Sequence, residues 1–236
     1  MNRYNLVDYI NQAPGLICIK DKQSVIQACS PQFAHLVGYK SPEETQGMTD
    51  FDMRCDAVNG ADKFIAQDKD AFIRGQNKSI NIYTYADGKK VVMYGEKTPL
   101  IFDNEVVGLN ITAQDLTHLG NLANKFILLL KSDGHFLSID ERKAATYIFH
   151  DSYPGDLLTK KESMCLFYIV RGKSNKEISQ ILNLSCRTVE GKVVAIKQKM
   201  HCDSRHQLIE HALQKGYLDI IINQILFCDD ISLNLN

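Results

Sequence analysis

Four basic side chains surround a glycine in one short stretch near the C-terminal end of the chain. Residues 187–199 read RTVEGKVVAIKQK, and the cations among them are Arg187, Lys192, Lys197 and Lys199. Basic side chains on a helix can contact phosphates, and the side chains between them can reach the edges of bases. Gly191, in contrast, costs a helix interior about 1 kcal/mol relative to alanine. The combination predicts a nucleic-acid-binding helix and leaves the glycine to be explained.

A helical wheel at 100° per residue divides this segment into two faces. The apolar stripe that we expect to face a core consists of Val189, Val193, Ile196 and Met200. The opposite face consists of Arg187, Gly191, Val194 and Gln198, with Lys192 and Lys199 on one shoulder and Glu190 and Lys197 on the other. We expect the shoulder cations to contact phosphates, while Gly191 lets the helix axis approach the bases. The alternative is an exposed glycine without a role.

Short capped helices are predicted on both sides of this segment. Thr159 and Ser174 each precede a glutamate by three residues, which is typical of a capping box. Ser185 and Ser204 are predicted to cap two later helices. Asn183 lies where the chain must turn sharply, and asparagine tolerates a left-handed backbone. The arrangement predicts a helix-turn-helix unit whose second helix can enter the major groove of DNA.

From Leu158 to Leu218 the chain resembles the C-terminal DNA-binding domain of LuxR-type regulators, also called GerE- or FixJ-type. The matching motifs are Leu158-Thr-Lys-Lys-Glu162, Ser174-Asn-Lys-Glu-Ile178, Leu182-Asn-Leu-Ser-Cys-Arg-Thr-Val189, Lys199-Met200, Ser204-Arg205 and Ala212 to Gly216. The resemblance implies an all-α, four-helix domain that binds double-stranded DNA. Together with the helical wheel, the resemblance predicts a DNA-binding interface. Its residues are Asn175, Lys176, Ser185, Arg187, Thr188, Glu190, Gly191, Lys192, Val194, Lys197, Gln198 and Lys199.

Three positions depart from the LuxR pattern on or beside the predicted reading face. Glu190 replaces a frequent lysine, Lys192 a frequent histidine, and Ala195 a frequent asparagine. Glu190 can accept a hydrogen bond from a cytosine amino group or can repel phosphates. We therefore expect DNA binding but do not transfer any known operator sequence.

The N-terminal half shows the pattern of a small α+β domain. Strands are predicted over residues 16–20, 25–26, 80–85, 91–94 and 106–111, with short helices over 31–76. Asp87-Gly88 and Asp103-Asn104 are turn signals between the later strands. Two strands, a helical block and three more strands predict a five-stranded antiparallel sheet.

This order of elements resembles a PAS domain over residues 3–118. The supporting segments are Cys18-Ile-Lys-Asp21, Phe33-Ala-His-Leu-Val-Gly-Tyr39, Ser41-Pro-Glu-Glu44, Gly47-Met-Thr-Asp50 and Gly108 to Thr117. The resemblance implies a sensory or dimerisation module. No cofactor is evident, because residues 61–76 lack a haem-ligating histidine and Cys55 lacks the Asn and Gln partners of a flavin photosensor; His35 is expected at the surface or in packing. An unidentified small ligand in this domain is the open alternative, and whether Tyr83, Tyr85 and Tyr94 face a cavity or solvent is also open.

The connector carries a heptad-like spacing of Leu116, Leu119, Ala123, Phe126 and Leu130. The spacing predicts a homodimer seam, and the alternative is a helix packed on its own sheet. A further helix is predicted from the Ser138 and Glu141 pair to Phe149. Leu208 and Ala212 are also predicted at the dimer interface, and the apolar run after Gly216 either extends that interface or folds back as core. The predicted boundaries are 3–118, a helical linker and dimerisation segment at 119–155, a DNA-binding domain at 156–220 and an extension at 221–236.

Composition favours a cytoplasmic protein without a membrane partner. The chain has 236 residues, of which 44% are hydrophobic and 23% charged, and its apolar runs are too short to span a bilayer. Residues 1–118 hold 12 basic and 15 acidic side chains, whereas residues 156–219 hold 11 and 7. The seven cysteines are scattered without a CxxC pair, so reduced thiols and no metal site are expected.

Other function classes lack their motifs. There is no P-loop, GGDEF-like stretch, kinase His box, receiver-type phosphorylatable Asp or Ser/His/Asp signature, so no catalytic residues and no enzyme activity are predicted. The nearest alternative keeps the DNA-binding domain and gives the N-terminal domain a small autoinducer, as in quorum-sensing regulators. The absence of tryptophan counts against a lactone-binding domain of that kind. The sequence thus predicts a homodimeric, sequence-specific transcription regulator with a PAS-like domain.

Overall fold

A computed structural model describes residues 6–117, 144–155 and 157–226 of the chain. The described residues up to Ile148 belong to one compact unit, and those from Phe149 onward belong to a second. No helix in these ranges is both long enough and apolar enough to cross a bilayer.

The first unit is built on an antiparallel sheet. Its helices are α1 (Leu6–Ile10), α2 (Pro31–Leu36) and α3 (Ala61–Arg74), with single 3₁₀ turns at Pro42–Thr45, Asp50–Asp52 and Asp56–Gly60. Its strands are β1 (Leu16–Asp21), β2 (Ile26–Cys29), β3 (Asn77–Thr84), β4 (Lys90–Phe102), β5 (Glu105–Asp115) and β6 (Ala145–His150), of which the first four residues of β6 lie in this unit. They are ordered β2-β1-β5-β4-β3-β6.

The five predicted strands and the α+β class are confirmed. The helical block lies between β2 and β3, as the resemblance to PAS domains implies. Asp103 and Asn104 adopt φ of 49° and 63°, which suits the tight turn between β4 and β5. Gly108 is needed where β1 and β5 approach each other, because a Cβ atom there would lie 2.1 Å from the carbonyl oxygen of Lys20.

The predicted helix ending at Phe149 is wrong over its described part, because Ala145–His150 is strand β6. Thr146 and Tyr147 lie opposite Asn81 and Ile80 of β3. β-branched and aromatic residues favour a strand when an edge is available for pairing. The heptad-spaced Leu119, Ala123, Phe126 and Leu130 lie outside the described residues.

Four helices of the second unit occur in the predicted order. They are α4 (Lys160–Ile169), α5 (Asn175–Ile181), α6 (Cys186–Lys199) and α7 (Arg205–Gln214), followed by β7 (Ile220–Ile222) and α8 (Asn223–Leu226). Both predicted capping boxes form, and Ser185 and Ser204 cap α6 and α7. Asn183 has φ of 49° in the turn between α5 and α6, as predicted.

The core of this unit lies between the helices. Leu166, Ile169, Ile178, Ile196 and Leu208 are fully buried in it. The apolar run after Gly216 folds back as core, because Ile220, Ile221, Ile222 and Ile225 are buried within the described chain. This packing fixes which face of α6 is turned outward.

Candidate nucleic-acid interface and sensor cavity

The orientation of α6 follows from its apolar stripe. Val189 and Ile196 are fully buried, Met200 is 1% exposed and Val193 is 8% exposed. Burying four apolar side chains on one side stabilises the helix against α4 and α5. The predicted inward face is therefore correct at all four positions.

The outward face of α6 is open. Arg187, Gly191, Val194 and Gln198 are all exposed. A Cβ atom built on Gly191 would meet no atom within 4 Å, so the glycine does not relieve crowding inside the domain. Its missing side chain leaves space on the outer side of the helix, where a duplex could approach.

The start of α6 presents exposed hydroxyl groups. Ser185 Oγ accepts the backbone N–H of Thr188 at 3.0 Å, and the two hydroxyl oxygens lie 2.7 Å apart. One hydroxyl can still bond outward, since each has more than one lone pair. Backbone N–H groups at a helix N-terminus also favour a phosphate. This end of α6 can bind the DNA backbone.

The helix that precedes the turn brings two of the predicted residues to the surface. Lys176 is exposed, whereas Asn175 is half-buried and its side-chain oxygen accepts a hydrogen bond from Arg205 at 2.9 Å. Arg205 also donates to the carbonyl of Lys173 at 2.5 Å. Arg205 therefore fixes the start of α5, a positioning role that the Ser204-Arg205 motif could have suggested.

The shoulder cations have different partners. Lys199 Nζ lies 2.7 Å from Glu162 Oε2, and Lys197 Nζ donates to the carbonyl of Asp203 at 3.1 Å. Burial tends to raise the pKa of Glu162, but the bonds from Lys199 and Thr159 outweigh it and lower that pKa. Lys199 therefore differs from the expected free shoulder cation, because an acidic side chain of its own domain already neutralises it. Lys192 is half-buried beside the outward face.

Two residues predicted at the dimer interface lie in the core instead. Leu208 and Ala212 are fully buried within a single chain. Such burial leaves no surface for a second chain, so their predicted role is corrected. An apolar helix stripe packs equally well on its own domain, and this is what α7 does.

The first unit contains a partly open cavity of about 70 Å³. Its apolar lining includes Phe33, Val37, Met53, Phe64, Met93 and Ile111. Tyr85 also lines it, whereas Tyr83 is buried and Tyr94 is half-buried. The volume exceeds what one water needs and suits a small molecule with few heavy atoms.

Four buried charged side chains cluster beside this cavity, and Lys20, Asp50 and Lys97 line it. Lys20 Nζ is 2.5 Å from Asp50 and 3.1 Å from Asp68, and Lys97 is paired with Asp68. Burial lowers the pKa of Lys97 despite the nearby Asp68 carboxylate. Two lysines and two aspartates balance in charge, which is what allows them to be buried.

An amide network adjoins the charges. Asn81 Oδ1 accepts from Gln67 at 3.1 Å and from Thr146 at 3.0 Å, and both amide residues line the cavity. Sequence reasoning missed this polar cluster. The sequence feature that indicates it is the spacing of Met93, Gly95 and Lys97 at every second position of β4, which places all three on the side of the sheet that faces the cavity.

The two residues considered above as possible cofactor-binding residues, His35 and Cys55, do not line the cavity. His35 is exposed and its ring lies 2.9 Å from the carbonyl of Lys40. Cys55 is half-buried, and burial raises the pKa of its thiol. Within the described ranges, no three His, Cys, Asp or Glu side chains come together as metal ligands.

Comparison with known proteins gives a family match for a segment of the second unit. Residues 156–212 match the family described as bacterial regulatory proteins, luxR family. The oxygen regulatory protein NreC of Staphylococcus carnosus is 41% identical over 66 residues, which are 28% of this chain and 30% of NreC. The chain thus spans about 30% of the length of the curated relatives that it matches.

Solved structures cover more of the chain. A structure of VqmA bound to DPO is 26% identical over 93% of this chain and 91% of its own, with a TM-score of 0.45. A Vibrio cholerae VqmA dimer is 28% identical over 94% of this chain and 93% of its own, with a TM-score of 0.48. The family match and the geometry of α5 and α6 agree: residues 156–212 form a helix-turn-helix unit and match the luxR family of bacterial regulatory proteins.

Proposed function

We propose that this protein is a cytoplasmic transcription regulator that binds specific double-stranded DNA as a homodimer through α6. The observation that carries the proposal is the orientation of that helix. Its apolar stripe is buried while Gly191 and its exposed neighbours are open to an incoming duplex. The regulator has no catalytic role in this proposal, in keeping with the family of its DNA-binding domain.

The proposed contacts between the protein and DNA are of two kinds, those to phosphates and those to bases. Lys176, Lys192 and the hydroxyls of Ser185 and Thr188 surround the outward face and suit phosphates. Arg187, Glu190, Val194 and Gln198 occupy positions that suit base edges. Two copies would present two such helices to a two-fold site, since one small domain alone makes few contacts.

We propose the predicted boundaries along the chain, with two changes that follow from the strands and the buried residues described above. In this proposal residues 3–118 form the PAS-like sensor, 119–155 the linker and dimerisation segment, 156–220 the DNA-binding domain and 221–236 an extension. The first change is that Ala145–Ile148 adds a strand to the sheet of the first unit. The second is that Ile221, Ile222 and Ile225 belong to the buried core of the second unit. Leu119, Ala123, Phe126 and Leu130 keep their proposed place in the dimer seam, whereas Leu208 and Ala212 do not. The cavity beside Lys20 and Lys97 supports a sensing role for the first of these domains.

A mobility-shift assay on genomic fragments tests the DNA-binding proposal. The full chain should retard a small subset of fragments, and it should remain bound to them in the presence of excess unrelated DNA. Its apparent affinity should fall steeply with salt, because phosphate contacts release counterions. Retardation of no fragment, or of all fragments equally, would contradict sequence-specific binding.

The second candidate is a regulator whose N-terminal domain binds a small autoinducer. The cavity favours it, because its mainly apolar lining also includes lysine, amide and carboxylate groups that can bond to a polar ligand. DPO, which is named with VqmA, is a suitable first probe. Calorimetric titration of the full chain with DPO, with a variant Met93→Trp to fill the cavity, tests this candidate. Heat of binding that the variant lacks would support it, and equal heats in both proteins would exclude the cavity as the site.

A further inference from the structure

Val194 is an exposed apolar side chain in the middle of the outward face of α6. It is 50% exposed, whereas the adjacent Val193 is 8% exposed and lies in the core. Among the described residues of α6, it alone is a large hydrophobic side chain exposed to this extent. Gly191 lies one turn before it and Gln198 one turn after it, on the same face.

The chemistry at the centre of this face is restricted. Gly191 has no side chain, and Val194 can neither donate nor accept a hydrogen bond. Their positions therefore cannot read the polar pattern of a base edge through side-chain hydrogen bonds. The methyl group of thymine is the apolar group that base edges present in the major groove.

A protein-docking role fits these surroundings poorly. Docking surfaces are contiguous apolar patches, whereas isolated exposed hydrophobic residues are common on any surface. The face around Val194 contains the polar residues Arg187 and Gln198 one or two turns away. A single branched side chain between polar neighbours matches one methyl group better than a second protein.

We propose that Val194 is a specificity-determining residue that contacts the methyl group of one thymine in each half-site. The inference rests on the proposed DNA-binding function and deepens it. Gly191 contributes by leaving space one turn away, so that the side chain of Val194 can reach the floor of the groove. The recognised DNA therefore carries a thymine at a fixed place in each half-site.

The test uses the full chain and a duplex selected from a random pool. Each thymine of the selected half-site is replaced in turn by deoxyuridine, which removes only the methyl group. At one position the wild-type affinity should fall about fourfold, the amount that burial of one methyl-sized group accounts for. The variant Val194→Ala should bind the thymine and deoxyuridine duplexes equally.

Leu213→Ala is the matched control, because Leu213 is a 46% exposed apolar residue on α7 rather than α6. The Leu213→Ala variant should keep the fourfold difference in affinity between the thymine and deoxyuridine duplexes. Wild-type protein that tolerates deoxyuridine at every position, or Val194→Ala protein that keeps the full difference, would overturn the assignment. If no sequence is enriched from the pool at all, the proposed function itself fails, and this is evident before any base is replaced.

Discussion

Lys199 Nζ and Glu162 Oε2 lie 2.7 Å apart, and the same carboxylate oxygen accepts the backbone N–H of Thr159 at 2.7 Å. The last residue of α6 is thereby joined to the capping box that begins α4. The pair ties α6 to α4, so Lys199, which the sequence predicts at the DNA, has a charged partner within its own domain.

Removing the charge at Lys192 and at Lys199 should have different effects. Lys192→Gln should flatten the dependence of log affinity on log salt by about 0.9, the amount for one lost phosphate contact. Lys199→Gln should leave that slope unchanged and destabilise the domain by about 1 kcal/mol, because Glu162 loses a charged partner. Salt titrations of DNA binding and thermal unfolding of both variants measure these effects. Equal slopes for wild type and Lys192→Gln would contradict the phosphate contact.

Substitution of Gly191 should stabilise the DNA-binding domain. Gly191→Ala adds a Cβ atom that meets nothing within 4 Å, so only the gain in helix propensity of about 1 kcal/mol remains. Gly191→Leu should also be tolerated by the fold, because residue 191 is exposed and leucine is a good helix former. Thermal unfolding followed by circular dichroism measures both. A lower melting temperature for either variant would mean that residue 191 is enclosed.

The carboxyl of Glu177 should titrate unusually low. The backbone N–H and hydroxyl of Ser174, each 2.8 Å from Glu177 Oε2, and the ammonium of Lys173 lower its pKa from 4.5 to about 2. Because the folded pKa is depressed, the stabilisation by this capping box is present above pH 4.5 and is lost as pH falls towards 2. An NMR titration of the carboxyl carbon should show the low midpoint.

Two variants test the cause of that shift. Ser174→Ala removes one of the three donors, the hydroxyl, and should move the midpoint of Glu177 upward. Ser179→Ala serves as the control, because the Ser179 hydroxyl bonds to the carbonyl of Lys176 and not to Glu177. An unchanged midpoint in Ser174→Ala would show that the capping box does not set the pKa.

The buried charges of the first unit should depend on one another for their stabilising effect. Asp68→Asn leaves Lys20 and Lys97 facing each other with a single carboxylate, Asp50, nearby. Breaking a buried ion cluster in this way costs about 3–5 kcal/mol of unfolding free energy. Asp70→Asn on the same helix is the control, because its ion pair with Arg74 is partly exposed and should change stability by less than about 1 kcal/mol. Urea unfolding measures the free energy of unfolding of both variants. Similar losses of stability in Asp68→Asn and Asp70→Asn would contradict a special role for Asp68.

Local rules account for the features that sequence analysis predicted. Capping at Thr159, Ser174 and Ser185 depends on residues three positions apart, and the left-handed turn at Asn183 depends on one residue type. The inward stripe of α6 repeats every three or four residues. Each of these signals lies within a few residues of the structure that it specifies, so each could be predicted correctly.

Contacts between distant segments account for the features that were missed. Thr146 bonds to Asn81 across 65 positions, and Lys199 bonds to Glu162 across 37. No local pattern shows that β6 will find a sheet edge or that a surface lysine will find a carboxylate. The stripe of α7 could equally face a partner or its own core, and only packing decides that Leu208 is buried.

Selection of DNA from a random pool by wild-type and Gly191→Leu protein, performed in parallel, tests the central claim most directly. Wild type should enrich a repeated half-site with about 10 base pairs between centres, whereas the leucine variant, though equally well folded, should enrich none. Enrichment of the same sequence by both proteins, or of no sequence by wild type, would contradict the claim that α6 reads DNA through its open face.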